Sequence, residues 1–95
     1  MAQVKGSVSK EVDRLLDQLM GDWQQVPEVA TEIDDWDIVA QLTFTEEWPL
    51  VEIRLRRLEE HVQQAHLTPS QITQYEELKR LIAKNRPILQ RIMEG

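Results

Sequence analysis

His61 and His66 are the side chains in this chain best suited to carry a proton or bind a metal, and five residues separate them. On a continuous helix that offset sends them to different sides. Neither lies in the His-Glu-x-x-His spacing that sets two imidazoles and a base around zinc. Both therefore read as surface or helix-end histidines. The acids Glu28, Glu32, Asp34, Asp35 and Asp37 cluster instead. A calcium loop counted from Asp35 would place Val39 and Ala40 where a side-chain oxygen and a glycine are needed. No Glu-x-x-His pair supplies a carboxylate-bridged di-metal site. Cysteine is absent, Ser7, Ser9 and Ser70 sit at or near helix starts, and three glycines make no phosphate-binding loop. The expectation is a protein that is not an enzyme, with no catalytic residue, cofactor or metal.

The elements that would position these groups have helical period. Val8, Val12, Leu15, Leu16, Leu19, Met20 and Trp23 recur at spacings of three and four. Ser7 or Ser9 suits the N-cap, and Pro27 closes the segment. Pro27 also suits the first turn of a second, short helix carrying Val29, Ala30, Ile33 and Trp36. Residues 36–44 alternate apolar and polar, yet Thr45-Glu46-Glu47-Trp48-Pro49 holds no turn glycine or asparagine. Helix is favoured there, with a β-hairpin across 36–56 as the alternative. Val51, Leu55, Leu58, Val62 and Ala65 predict a helix over 50–65 that starts at Pro49.

The strongest local signal is Thr68-Pro69-Ser70-Gln71, a capping box with Pro at the first helical position and Leu67 and Ile72 as hydrophobic staple. It opens a helix on Ile72, Tyr75, Leu78, Leu81 and Ile82. Asn85-Arg86-Pro87 predicts a break, followed by a short last helix on Ile88, Leu89, Ile92 and Met93. The fold class that results is all-α: a compact bundle of four to five helices with a central antiparallel helical hairpin (residues 50–84). Residues 1–95 form a single helical domain, with residues 1–6 as a flexible lead. Each of the three Trp is expected to anchor a helix end in the core, its indole N–H finding a nearby acceptor.

Charge is split along the chain. Residues 1–52 hold twelve acids and three bases, residues 53–95 five acids and eight bases, within an overall −6. Such an asymmetry bears on partners rather than on fold. Nucleic acid is disfavoured as a partner of the whole molecule. No secretory leader or membrane-length apolar run is evident, which points to a cytoplasmic protein. One expectation is a protein-protein interaction module whose Glu28, Glu32, Asp34, Asp35, Trp36, Asp37, Glu46, Glu47 and Trp48 face a partner with a basic surface, the Trp rings serving as anchors if exposed. Its most concrete version is an antitoxin-like inhibitor. The alternative is a transcription- or nucleic-acid-associated module using Arg54, Arg57, Arg80 and Lys84, which an antiparallel hairpin brings level. The segment Glu28–Asp37 could also dock on those bases internally. Leu50 and Ile53 lie off the main stripe of their helix and, with Ile88 and Ile92, form a second apolar face that suits a homodimer or the C-terminal helix.

Glu47-Trp48-Pro49-Leu50, Leu67-Thr68-Pro69 and Asn85-Arg86-Pro87-Ile88-Leu89 together resemble a pattern in short acidic uncharacterised helical proteins of bacteria, cyanobacteria in particular. The resemblance spans residues 8–93 in register. It implies no activity, and no residue role is carried over from it.

Overall fold

The computed structural model describes residues 2–94, with side chains from Gly6 onward. The expected flexible lead falls largely outside those side chains. Helix α1 (Ala2–Gln24) is followed by a short α2 (Val26–Glu32), a single 3₁₀ turn (Ile33–Asp35), α3 (Ile38–Gln63) and α4 (Pro69–Glu94). Most of the described residues are helical and none is in a strand, so the all-α class stands. Three long helices carry the fold rather than four or five. They form an elongated slab of 50 × 23 × 16 Å, not a compact bundle.

The expected number of helices was too high because two helices run on where breaks were predicted. Pro49 lies inside α3 and Pro87 inside α4. A helical proline forfeits one hydrogen bond and clashes with the carbonyl four residues back, at a cost of about 3 kcal/mol. Packing on both sides of each proline offsets that loss. Trp48 and Val51 are buried around Pro49, and Asn85, Leu89 and Ile92 around Pro87. Ser7 and Ser9, read as N-caps, lie within α1. Residues 36–44 join α3 from Ile38 onward because Asp37 caps it: its Oδ1 accepts the Ala40 N–H at 2.8 Å.

Pro27 acts differently. Gln25, between α1 and α2, keeps helical dihedrals (φ −76°, ψ −19°), so the chain bends there instead of reversing. The carbonyl of Trp23 would bond to the N–H of residue 27 in an uninterrupted helix, and proline has none. Asn85 on α4 supplies the missing donor, its Nδ2 donating to the Trp23 carbonyl at 2.9 Å. Both residues are essentially inaccessible to solvent.

Helix α1 is the centre of the molecule. Val12, Leu16, Leu19 and Trp23 are buried along it, meeting Leu58 of α3 and Leu78 of α4 in one core. Each side chain of that size contributes about 1.5–3 kcal/mol on full burial. Close backbone approaches run from α1 to both α3 and α4. The two arms of the predicted hairpin meet mainly through side chains.

The hairpin turn is a Schellman motif. The His66 N–H donates to the His61 carbonyl (3.0 Å) and the Ala65 N–H to the Val62 carbonyl (3.1 Å). Ala65 takes the left-handed conformation (φ 59°) usually given to glycine. The helix predicted to reach residue 65 therefore stops at Gln63. The capping box forms as predicted: the Thr68 N–H donates to Gln71 Oε1 (3.0 Å) and the Gln71 N–H to Thr68 Oγ1 (3.2 Å). Gln71 does more than cap, since its Nε2 donates to the Ser9 carbonyl (3.1 Å) and to Asp13 Oδ1 (2.8 Å). That ties the start of α4 to α1. Ile72, assigned to the staple, remains 45% exposed.

Candidate interaction surface

The left-handed turn at Ala65 brings together the two histidines that helical spacing would separate. Their Nδ1 atoms lie 3.0 Å apart and their ring centroids 5.3 Å apart. The centroid separation equals the N···N distance plus one ring radius at each end, so the two nitrogens point straight at one another. That is the geometry of a shared N–H···N proton, with one ring donor and the other acceptor. Two metal ligands would instead converge on a common point. Among the described residues, no three His, Cys, Asp or Glu side chains are grouped to hold a metal ion. The far nitrogen of buried His61, Nε2, lies 3.3 Å from Glu11 Oε2.

Glu11 is the hub of the first internal ion cluster. Arg57 Nε donates to its Oε1 at 2.7 Å. That hydrogen bond, helped by the nearby positive charge, holds the Glu11 carboxyl below the usual range. The second is Arg54 and Asp22, 3.7 Å apart, an electrostatic contact too long for a hydrogen bond. Burial raises the Asp22 carboxyl, with Arg54 opposing. The third joins α3 to α4: Arg86 Nη1 and Nη2 both donate to Glu52 at 3.2 Å. Glu52 also accepts the Trp48 indole N–H at 3.0 Å. Arg86 lies over the Trp23 ring at 4.9 Å, and Trp23 meets Trp48 edge-on at 5.1 Å.

These contacts redistribute the predicted sites. Arg54 and Arg57 turn to α1, while Arg80 and Lys84 sit on the outer, exposed face of α4. The four do not form one patch. The acids that dock on the basic helices are Glu11, Asp22 and Glu52, not the segment 28–37. Glu28, Glu32, Asp34, Asp35, Glu46 and Glu47 are exposed, and Asp37 is spent as a cap. None of the seven has an ion-pair partner among the described residues. Trp48 is buried at 6% exposure and presents no ring to a partner. Trp36 is half-buried, edge-on to Phe44 at 6.3 Å. The expectation that every indole N–H finds an acceptor fails at Trp23, whose buried N–H has none.

Beside the free acids lies a groove of about 580 Å³ between the 3₁₀ turn, the start of α3 and the end of α4. Ile33, Ile38, Leu42, Ile88, Ile92 and Met93 line it, with Asp34 on one wall and Arg91 on the other. Gln41 fixes the turn to α3, donating from Nε2 to the carbonyls of Ile33 (2.8 Å) and Trp36 (3.1 Å). Ile38 and Leu42 are at least half exposed. Ile88 and Ile92 thus face this groove and do not join Leu50 and Ile53 in one face. Sequence reasoning missed the groove because Ile33 and Met93 are brought together only by the fold. It also missed the ties that Gln71 and Asn85 make to α1; for Asn85, the proline four residues after Trp23 was a readable sign that a donor was wanted.

No family model matches the chain, and neither a curated protein nor a solved structure resembles it closely enough to carry an inference. Function therefore rests on the surface itself. No described helix is long and apolar enough to cross a membrane.

Proposed function

We propose that the protein is a non-enzymatic interaction module that receives a basic amphipathic helix of another protein in the groove between the 3₁₀ turn, α3 and α4. The observation that carries this reading is the coincidence of exposed apolar lining with an unpaired acid, Asp34, in the groove and Asp35 next to it. Asp34 and Asp35 belong to the 3₁₀ turn at the edge of the groove. Apolar side chains of the incoming helix would fill the groove, and its Lys or Arg would meet those carboxylates. An inhibitor that shields a basic surface, in the manner of an antitoxin, is the most concrete form. Nucleic-acid binding is less well supported, because two of the four bases it needs are committed to α1.

Two synthetic amphipathic peptides test the reading, one of leucine and lysine and the other of leucine and glutamate. The lysine peptide should bind with an affinity that falls as salt rises, and should perturb the NMR signals of Ile33, Ile38, Leu42 and Ile88. L42D should abolish that binding while leaving the circular dichroism unchanged. Equal binding of both peptides, or perturbations centred on Arg80 and Lys84, would refute it.

A further inference from the structure

Helix α3 exposes a second stripe, which meets the groove at Leu42 and runs on beyond it. Val39, Leu42, Glu46, Leu50, Ile53 and Arg57 follow one another at spacings of three and four, so they share one side of the helix. That side lies away from the buried Trp48, Val51, Leu55 and Leu58. Val39, Leu42, Leu50 and Ile53 are 68%, 50%, 52% and 52% exposed. Leu42 also lines the groove, but a monomer gains nothing by holding Leu50 and Ile53 in water side by side.

The order of charges on the stripe says what covers it. Glu46 stands four residues before Leu50, and Arg57 four residues after Ile53. The pattern is acid, apolar, apolar, base, and it is self-complementary under an antiparallel two-fold rotation. We infer that a second copy of this chain packs antiparallel along α3, with the two-fold axis between Val51 and Glu52. Leu50 then meets Ile53 of the second copy, and Glu46 meets Arg57 of the second copy. Each contact occurs twice. Arg57 is already engaged inside its own chain, with Nε and Nη2 donating to Glu11 (2.7 and 3.4 Å) and Nη1 4.0 Å from Glu60. Its side chain nevertheless stays 55% exposed and leaves an edge for Glu46 of the second copy. A register centred on Glu46 would cover more apolar surface, setting Leu42 over Leu50, but it would press two Glu46 carboxylates together. Charge therefore selects the first register.

One helix pair is a small interface, so the dimer should dissociate at concentrations on the order of tens of micromolar. Sedimentation equilibrium on the full chain reads this directly. E46K and R57E should each be monomeric at concentrations where the native chain is dimeric. Mixed in equal amounts they should dimerise. The introduced lysine then faces the introduced glutamate, and the native Arg57 of the first variant faces the native Glu46 of the second. Since R57E also loses Glu11, the double variant L50S/I53S provides an independent arm. Both positions are exposed, so the variant should keep its circular dichroism and lose self-association. A chain that stays monomeric to millimolar concentration overturns the inference. So does an L50S/I53S variant that still dimerises, or an association that strengthens in acid, which would mark the register centred on Glu46.

Discussion

Replacing Asn85 by leucine tests whether one side-chain amide stands in for the N–H that Pro27 lacks. The exchange keeps side-chain size and removes the 2.9 Å hydrogen bond to the Trp23 carbonyl. A neutral hydrogen bond contributes about 1 kcal/mol net, and a buried carbonyl left without a donor costs about 1–3 kcal/mol more. Against this, Asn85 Oδ1 is itself buried without a partner, so its removal recovers part of the loss. The balance is a destabilisation of about 2 kcal/mol, which lowers Tm by roughly 8–16 °C in a chain of this size. Urea unfolding followed by tryptophan fluorescence should show a lower midpoint with an unchanged slope. The decisive comparison repeats N85L in a P27A background, where residue 27 regains its N–H. There the loss should shrink by at least about 1 kcal/mol, a coupling that a double-mutant cycle isolates. Equal costs in both backgrounds, or no cost in either, would refute the link between the proline and the amide.

Ala65→Gly should stabilise the protein by about 0.5–1 kcal/mol, because glycine accepts the left-handed turn without the Cβ clash, partly offset by its freer unfolded chain; thermal unfolding by circular dichroism checks it. The two perturbed carboxylates should give opposite pH signatures. The folded Glu11 carboxyl titrates below its unfolded value, so its stabilisation is present above the ordinary carboxylate range and is lost as pH falls through the folded value. E11Q should flatten the acid limb of a Tm-against-pH curve. The folded Asp22 carboxyl titrates above its unfolded value, so its contribution is present in acid and is lost as pH rises through the folded value. D22N should raise Tm at neutral pH and lose that advantage in acid.

What could be read from the sequence was what is decided locally. The capping box at Thr68–Gln71 closes within four residues, and it forms as read. The stripe of α1 needed only helical period. Pro49 and Pro87 show where such reading stops. The local rule for proline is correct, but the energy that overrides it lies in Trp48, Leu89 and Ile92, whose partners are distant in sequence. The strand-like alternation of 36–44 yielded to a single cap at Asp37. Charge misled for a related reason. The acidic run 28–37 was conspicuous in the sequence, yet the acids that pair are isolated residues, Glu11, Asp22 and Glu52, set opposite arginines by the packing of the helices. The histidine pair depends on one backbone conformation at Ala65, a residue type that seldom adopts it.

The central position of α1 has a consequence for how the chain is made. Its polar ties to α4, Gln71 to Ser9 and Asn85 to Trp23, each join residues 62 positions apart. The helical arms on either side of the turn have few close backbone contacts of their own to hold them in the meantime. On the ribosome α1 emerges before α3 and α4, so its leucine stripe stays uncovered until both have followed it out. Closing so long a loop is slow compared with forming any one helix. The apolar stripe of α1 is therefore covered only by late, long-range packing, and transiently exposed apolar surface of that kind is prone to aggregation.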